Sequence, residues 1–458
     1  MSLWRESLAL RVTVFILLGL VVLLFGPWAY LDWQMQRDLD LELKRIGDAG
    51  EPLTLTDAAP EMPPPSENAA ELYQQVIGRI AADGTMPGSD AFELTGYVDL
   101  IERDYLAGNV THEEARAALE DPRIVQALET LRQGSQCEKY AFPINWGAGP
   151  AILFPHYAKM RKAARWMSAK SKLCAHDGEV DEALDWARVS LRMSEHVAGD
   201  PMLISQLVAT AWQAVATAQA QETLKAGAPS PEMAREMIAY LRTVDAKGPF
   251  DRAFLGERAM GMDTFEMIRR ENLGKLVEVF PESEGISPWS LLGTLYSSRF
   301  GRPFVNNDQI IYLRLMRSQI EVVNNAPPQE RDKRASELET SVPSIAVLSQ
   351  MMAPIFARSV DKRDQAIVNL DLFEIALQAE LYRAQRGEWP ADLQALQDAI
   401  GYSLPEDPFA RAPYHYRREP DGFVIWSLGT DLDDDGGHGP KDPGYEYENC
   451  DIVWKLAR

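Results

Sequence analysis

YHYRREPDGFVIWSLGTDLDDDGG, residues 414–437, breaks the helical pattern that fills most of this 458-residue chain. Residues 414–417 and 423–428 are rich in aromatic and β-branched side chains, and Pro420-Asp421-Gly422 between them has the chemistry of a hairpin turn. Two antiparallel strands are therefore expected here, with an aspartate-rich loop directly after the second. Upstream, from Glu67 to about residue 355, apolar residues recur at helical spacing with almost no strand-like alternation. The expected fold class is mainly α with a C-terminal α+β domain, a long helix followed by a small antiparallel sheet.

The long helix is expected to begin near Ser359. Ala366, Leu370, Phe373, Leu377, Leu381 and Ala384 form an apolar stripe along it, and Gly387 is placed to close it in a left-handed cap. Trp389-Pro390 follows, then a short helical turn around Leu393 and Leu396, then Asp407-Pro408-Phe409, Pro413-Tyr414 and Tyr416. Ser427-Leu428-Gly429-Thr430-Asp431, Gly436-Gly437 and Asp451-Ile452 with Trp454 complete the series. That order of fragments resembles the soluble domain of the type II secretion major pseudopilin, over residues 361–458, roughly a fifth of the chain.

The resemblance implies a calcium ion in the loop after the Ser427–Asp431 fragment, with Asp451 and the Leu428 carbonyl among its ligands. The residues suit that chemistry on their own account. From Asp431 to Asp451 there are six aspartates and two glutamates against one lysine, a clustering that costs mutual repulsion unless a cation offsets it. Calcium accepts six to eight oxygens in flexible geometry. Asp431, Asp433 and Asp435 with Gly436 reproduce the first half of an EF-hand loop, but a strand precedes it and Asp442 stands at the twelfth position, so a true EF-hand is not expected. The expected ligands are Asp431, Asp433, Asp435, Asp451 and Leu428.

The chain also departs from the pseudopilin pattern. There is no leader with a processing glycine, Ala410-Arg411-Ala412 replaces the Gly-Asn of the proline turn, and the acidic loop is extended through residues 445–448. The hydrophobic segment that should run straight into the domain lies more than 300 residues upstream. Assembly into a fibre is not expected.

That segment, residues 12–31, has no charged residue. At about 1.5 Å per residue it covers about 30 Å, the thickness of a hydrocarbon core. A cleaved signal peptide would have an apolar stretch of only about 7–15 residues. Trp4 on one side and Trp28, Tyr30 and Trp33 on the other suit interfacial anchors. Arg5 and Arg11 nearly balance Arg37, Lys44 and Arg45, and a short tail such as residues 1–11 normally stays in the cytoplasm. The reading is a bacterial inner (cytoplasmic) membrane protein, single-pass, with its bulk outside the cytoplasm.

Five segments follow: a cytoplasmic tail (1–11), a transmembrane helix (12–31), a charged helix and Pro-rich linker (32–66), an all-helical domain (67–355) and the pseudopilin-like, calcium-binding domain (356–458). Within the helical domain, residues 157–176 and 180–197 form a hairpin across Asp177-Gly178, with Ala164, Met167, Leu173, Ala183, Leu184, Ala187 and Leu191 facing one another. It resembles a tetratricopeptide hairpin, yet no 34-residue period recurs. Thr111 with Glu114 makes a capping box, and Pro201 and Pro231 each suit a first helical turn. Residues 280–307 read as a surface loop. The aromatic run 137–157 reads either as a ligand groove or as a rigid loop packed on its own helices.

The net charge of −22 argues against nucleic acid as a partner. Cys137, Cys174 and Cys450 form no CxxC; Cys137 and Cys174 either pair or stay free thiols. The six histidines show no metal-ligand spacing, and no phosphate loop or nucleophile elbow is present. Glu257 with Arg258, and Glu266 with Arg269 and Arg270, read as helix-surface pairs. The expectation is a non-enzymatic, membrane-anchored scaffold whose partner belongs to secretion or pilus-like envelope machinery. The alternative is an envelope enzyme whose site is scattered over the helical domain.

Overall fold

In the computed structural model, which describes residues 2–80, 105–271, 296, 298–352, 356–440, 442 and 450–458, the apolar segment and the charged segment after it are one continuous helix, Ser2–Asp48. Pro27 is accommodated within it, and Gly50 at φ +70° turns the chain out of it. From Val12 to Leu23 its side chains are exposed. Among the described residues it is the one helix long and apolar enough to cross a membrane. Its far end is different: Leu39 and Ile46 are buried in a cluster with Phe254, Val305, Tyr312 and Met316. One rigid element thus carries both an exposed apolar rod and part of the body's core.

Most of the body is helical, and among the described residues three large cores organise it. The first joins helices Ala69–Ile77, Pro122–Ser135 and Pro155–His176 through Tyr73, Leu128, Trp166 and Met167. The second joins helices Leu203–Ala226 and Pro231–Leu241 to the long helix Phe356–Arg386 and to the sheet. The third packs the end of the Ser2–Asp48 helix against Gly248–Glu271 and Arg302–Asn325.

Helix Val180–Ala198 separates the first core from the second. Ala183, Trp186, Val189, Met193 and Val197 face the first, while Val180, Leu184, Ala187 and Leu191 face the second. The expected hairpin with Pro155–His176 is present, turning at Gly178 with φ +82°. Leu184, Ala187 and Leu191 do not meet the preceding helix, however. A helix buried on two sides carries two apolar stripes, and the sequence reading merged them.

The sheet is small. Strands β1 (Glu406–Asp407) and β2 (Ala412–Pro413) form a short ladder; β3 (His415–Glu419), β4 (Gly422–Ser427) and β5 (Ile452–Ala457) form a separate antiparallel sheet in the order β3-β4-β5. Tyr416 pairs with Ile425, and Ile425 with Trp454. Every residue of β4 is buried, as expected of a central strand covered on both faces. Phe423, Ile425, Trp454 and Leu456 face the long helix, where Phe373 stacks on Trp454 with ring centroids 5.3 Å apart.

Several local expectations change. Residues 302–307 belong to the helix Arg302–Asn325, because Pro303 sits in its first turn, where a missing amide costs nothing; residues 280–295 of the expected loop lie outside the described residues. Pro201 precedes its helix, which starts at Leu203. The 51–66 segment is not a free spacer: its turn Leu55–Ala58 is fixed by a Thr54–Asp57 capping box, and Leu55 is fully buried beside Trp146 and Met202. The aromatic run takes the rigid-loop form, with Phe142 stacked on His156 at 4.1 Å and Phe154 on Tyr157 at 5.0 Å. Arg258 is buried and paired with Glu51 at 2.5 Å, and Glu257 accepts the Leu203 amide at 2.9 Å, so this pair is interior rather than surface. Cys137 and Cys174 do not pair, and no disulfide forms among the described residues.

Candidate cation loop

The aspartate loop leaves β4 at Ser427 and returns at Asp451, next to the start of β5. Gly429, at φ +65°, lets the chain turn against the Cys450 carbonyl. Leu432 also adopts a left-handed conformation, at φ 60°, and Gly436 and Gly437 follow at φ 71° and 77°. Such a run of left-handed residues wraps the loop tightly, and Arg417 on β3 fastens it by donating to the Gly436 carbonyl at 2.8 Å.

The expected ligand residues fall into two groups. Asp431 and Asp433 are exposed, and each accepts a backbone amide within the turn: Asp431 from Asp433 at 3.3 Å, Asp433 from Asp434 at 3.1 Å. Asp451 is 1% exposed. Its Oδ2 accepts the Gly437 amide at 2.8 Å, while its Oδ1 is buried and has no hydrogen-bond partner among the described residues. Asp435 also buries an oxygen, Oδ2, that has no partner among the described residues. Leu428 donates its amide to Asp407 at 3.3 Å, which holds the entry to the loop.

These groups act on one another. Burial first, then the negative charges of Asp434 and Asp435, push the Asp451 carboxyl up to about 6 against the opposing Gly437 and Asp435 amides. Burial likewise raises the Cys450 thiol, followed by the charges of Asp435, Asp431, Asp451 and Asp442. Among the described residues, no three carboxylate, imidazole or thiol groups converge as a ready-made metal cage. The donors present are hard oxygens, two of them orphaned, and these fit a calcium-class cation better than a soft one.

Two residues that the sequence reading passed over do much of the shaping. Asp434 accepts the Trp426 indole N–H and the Gly436 amide, both at 2.9 Å. Burial works against its charge, but those two donors, with His415 and Arg417 nearby, hold its carboxyl below the usual range. Asp407, 1% exposed, accepts from Phe409 at 2.9 Å as well as from Leu428. The available signal for Asp434 was Trp426 itself: an indole on a buried strand needs an acceptor close by. Asp442, by contrast, is taken by Lys455 at 2.6 Å.

Three of the histidines contact their neighbours closely. His196 is held between the Tyr73 hydroxyl at 2.7 Å and the Cys137 carbonyl at 3.0 Å, and burial pushes its pKa down to about 4. His112 and His176 stack at 3.6 Å near the hairpin turn. Comparison with family models, curated proteins and solved structures found no match for the chain.

Proposed function

We propose that this chain is a membrane-anchored scaffold of the bacterial envelope, single-pass, with its body outside the cytoplasm and a pseudopilin-like C-terminal region fastened by a structural calcium ion. The observation that carries the reading is the Ser2–Asp48 helix. Its outer half is apolar and exposed, and its inner half, through Leu39, Glu42 and Ile46, is part of the body's packing. A protein that only needed tethering would be served by a flexible linker. Here the body is held in a fixed attitude to the anchor, which suits a part that presents a surface to a neighbour.

The calcium ion would rest on Asp435, Asp451 and the Leu428 carbonyl, with Asp431 and Asp433 closing from the exposed side. Its charge would satisfy the two orphaned oxygens and tie the loop to β5. A site of this open kind fills at about 10⁻⁴–10⁻³ M calcium, a concentration met outside the cytoplasm. The partner would be another envelope component, of the secretion or pilus-like machinery that the C-terminal resemblance suggests.

Cross-linking in intact membranes, followed by purification of the full chain in calcium, tests the scaffold reading. A reproducible envelope partner that is lost from an Asp435→Asn, Asp451→Asn variant is the expected result. Recovery of the chain without any envelope protein would overturn it.

A further inference from the structure

The contact between the anchor helix and the body reaches the level of the membrane itself. Trp28 lies three residues inside the end of the uncharged stretch 12–31, so at 1.5 Å per residue it sits about 5 Å below the end of the apolar rod. Its indole N–H donates to the Phe300 carbonyl at 3.1 Å. The Phe300 ring packs edge-on to Trp28 with centroids 5.5 Å apart and lies 6.1 Å from Phe25, one turn deeper. Phe300 is nevertheless 52% exposed. An apolar ring half-open to its surroundings is ordinary on a soluble surface. With residues 12–31 across a bilayer, this height falls in the interfacial layer.

The local chain is built to hold the ring there. The turn Arg299–Gly301 is capped by Ser298, whose hydroxyl accepts the Gly301 amide at 3.1 Å. Gly301 is buried, and the helix Arg302–Asn325 starts directly after it, parallel to the anchor. Parallel register is fixed along its length: Asn306 meets Gln36 at 3.1 Å, Arg314 meets Glu42 at 2.9 Å and Arg317 meets Glu42 at 3.0 Å. Glu42 is fourteen residues beyond Trp28, so the docked helix runs about 20 Å away from the apolar rod and its first turn lies at the rod's edge. Arg299 is exposed beside Phe300, at the height where lipid phosphates lie, while Arg302 donates to Gln36 at 2.9 Å and lies 3.7 Å from Asp32 on the long N-terminal helix.

We infer that the Arg299–Gly301 turn is a second membrane contact, with Phe300 inserted at the boundary between acyl chains and headgroups and Arg299 against the phosphates. The partner is the lipid surface, and the inference rests on the membrane-anchor reading above. Aromatic side chains favour this interfacial layer, and arginine suits phosphate recognition. A helix alone would be free to spin about its axis in the bilayer. An aromatic ring planted beside it, on a body packed and hydrogen-bonded along the helix, would fix the rotation and present one face of the body in one direction.

The test uses the full-length chain in phosphatidylcholine vesicles with and without phosphatidylglycerol. In a background where Cys137 and Cys450 are serine and buried Cys174 is retained, Phe300→Cys, Val21→Cys and Glu388→Cys are labelled with an environment-sensitive dye. Each variant is first shown to melt in detergent like its parent. The expected result is blue-shifted emission at position 300, quenched by lipids with a shallow spin label, and stronger with phosphatidylglycerol. Position 21 is quenched by deep labels and position 388 by neither. Quenching at 21 but not at 300 overturns the inference and leaves the anchor standing. Loss of quenching at both positions overturns the anchor and the inference together.

Discussion

Glu42→Gln tests whether the body is locked to the Ser2–Asp48 helix. Glu42 is 4% exposed, yet it is charged. Its two oxygens accept from Arg314 at 2.9 Å and Arg317 at 3.0 Å, with Arg45 at 3.5 Å on its own helix. Breaking a fully buried pair costs about 3–5 kcal/mol, and an exposed one about 0–1 kcal/mol. Arg314 and Arg317 are 57% and 48% exposed and can rehydrate when the charge is removed. A loss of about 1–3 kcal/mol is therefore expected. Burial alone would raise the Glu42 carboxyl, but Arg314 and Arg317 hold it below the usual range. A depressed folded pKa gives stability that is present above the unfolded value of about 4.3 and lost as pH falls through the folded one. The assay is denaturant unfolding of the full chain in detergent across that pH range. Both proteins change in acid through their other carboxylates, but the advantage of wild type over Glu42→Gln should shrink as pH falls through the folded value of Glu42. Equal stability at neutral pH with parallel acid profiles would refute the argument.

Three further outcomes follow from packing and from the loop. Phe373→Ala removes a fully buried ring stacked on Trp454 and should cost about 3–5 kcal/mol, read by chemical denaturation. Gly256→Ala places a methyl against the Pro201 carbonyl, backbone that cannot step aside, and should cost about 1–3 kcal/mol by the same measurement. Asp451, with its carboxyl raised to about 6, favours the protonated form in the fold, so cation-free stability is full below the unfolded value of about 3.9 and declines as pH climbs toward 6. Asp451→Asn keeps an oxygen for the Gly437 amide, so in a chelator at neutral pH it should melt at or above wild type. On adding millimolar calcium wild type should rise past it, and a wild-type melt indifferent to calcium would count against the ion.

The sequence disclosed those features whose causes are local. Gly387 does cap the long helix, at φ +77°, and the hairpin turns at Pro420 and Asp421 between β3 and β4. Thr111 and Glu114 do form the capping box ahead of helix His112–Leu119. What it concealed depends on partners far away in the chain. Arg258 looks like a helix-surface residue because Glu266 and Arg270, on the same helix, really are one, at 2.9 Å; nothing near Arg258 in sequence announces Glu51. Leu184 and Ala183 are adjacent letters that serve different cores. In the cation loop, Asp431 and Asp433 stood out as a motif, whereas Asp434 and Asp407 work through a tryptophan and a backbone amide that only the fold brings near.

The long helix was legible as one stripe, and its real surroundings decide how the C-terminal region can be used. From Leu372 to Glu380 every residue is buried, not one face but the whole circumference. The polar members are all engaged: Glu374 with Arg242 at 2.6 Å, Gln378 with Tyr402, and Glu380 with Arg458. A helix covered on every side belongs to the centre of a domain and leaves no face for stacking against copies of itself. The sheet covers one side, and helices Leu203–Ala226 and Pro231–Leu241, through Ala216, Ala220, Met237 and Leu241, belong to the core that covers the others. Cutting the chain at residue 361 would expose that second face, where Val368, Leu372, Ile375, Ala376 and Ala379 are buried. At about 25 cal/mol per Å² of apolar surface, uncovering even one side of a helix of this length removes several kcal/mol, comparable with the whole stability of a small domain. A 361–458 fragment should therefore fail to unfold cooperatively, with or without calcium, and should bind a hydrophobic dye. A sharp, calcium-dependent melt from that fragment would show that the sheet and its helix suffice alone, and that the helical layer is an addition rather than half of their core.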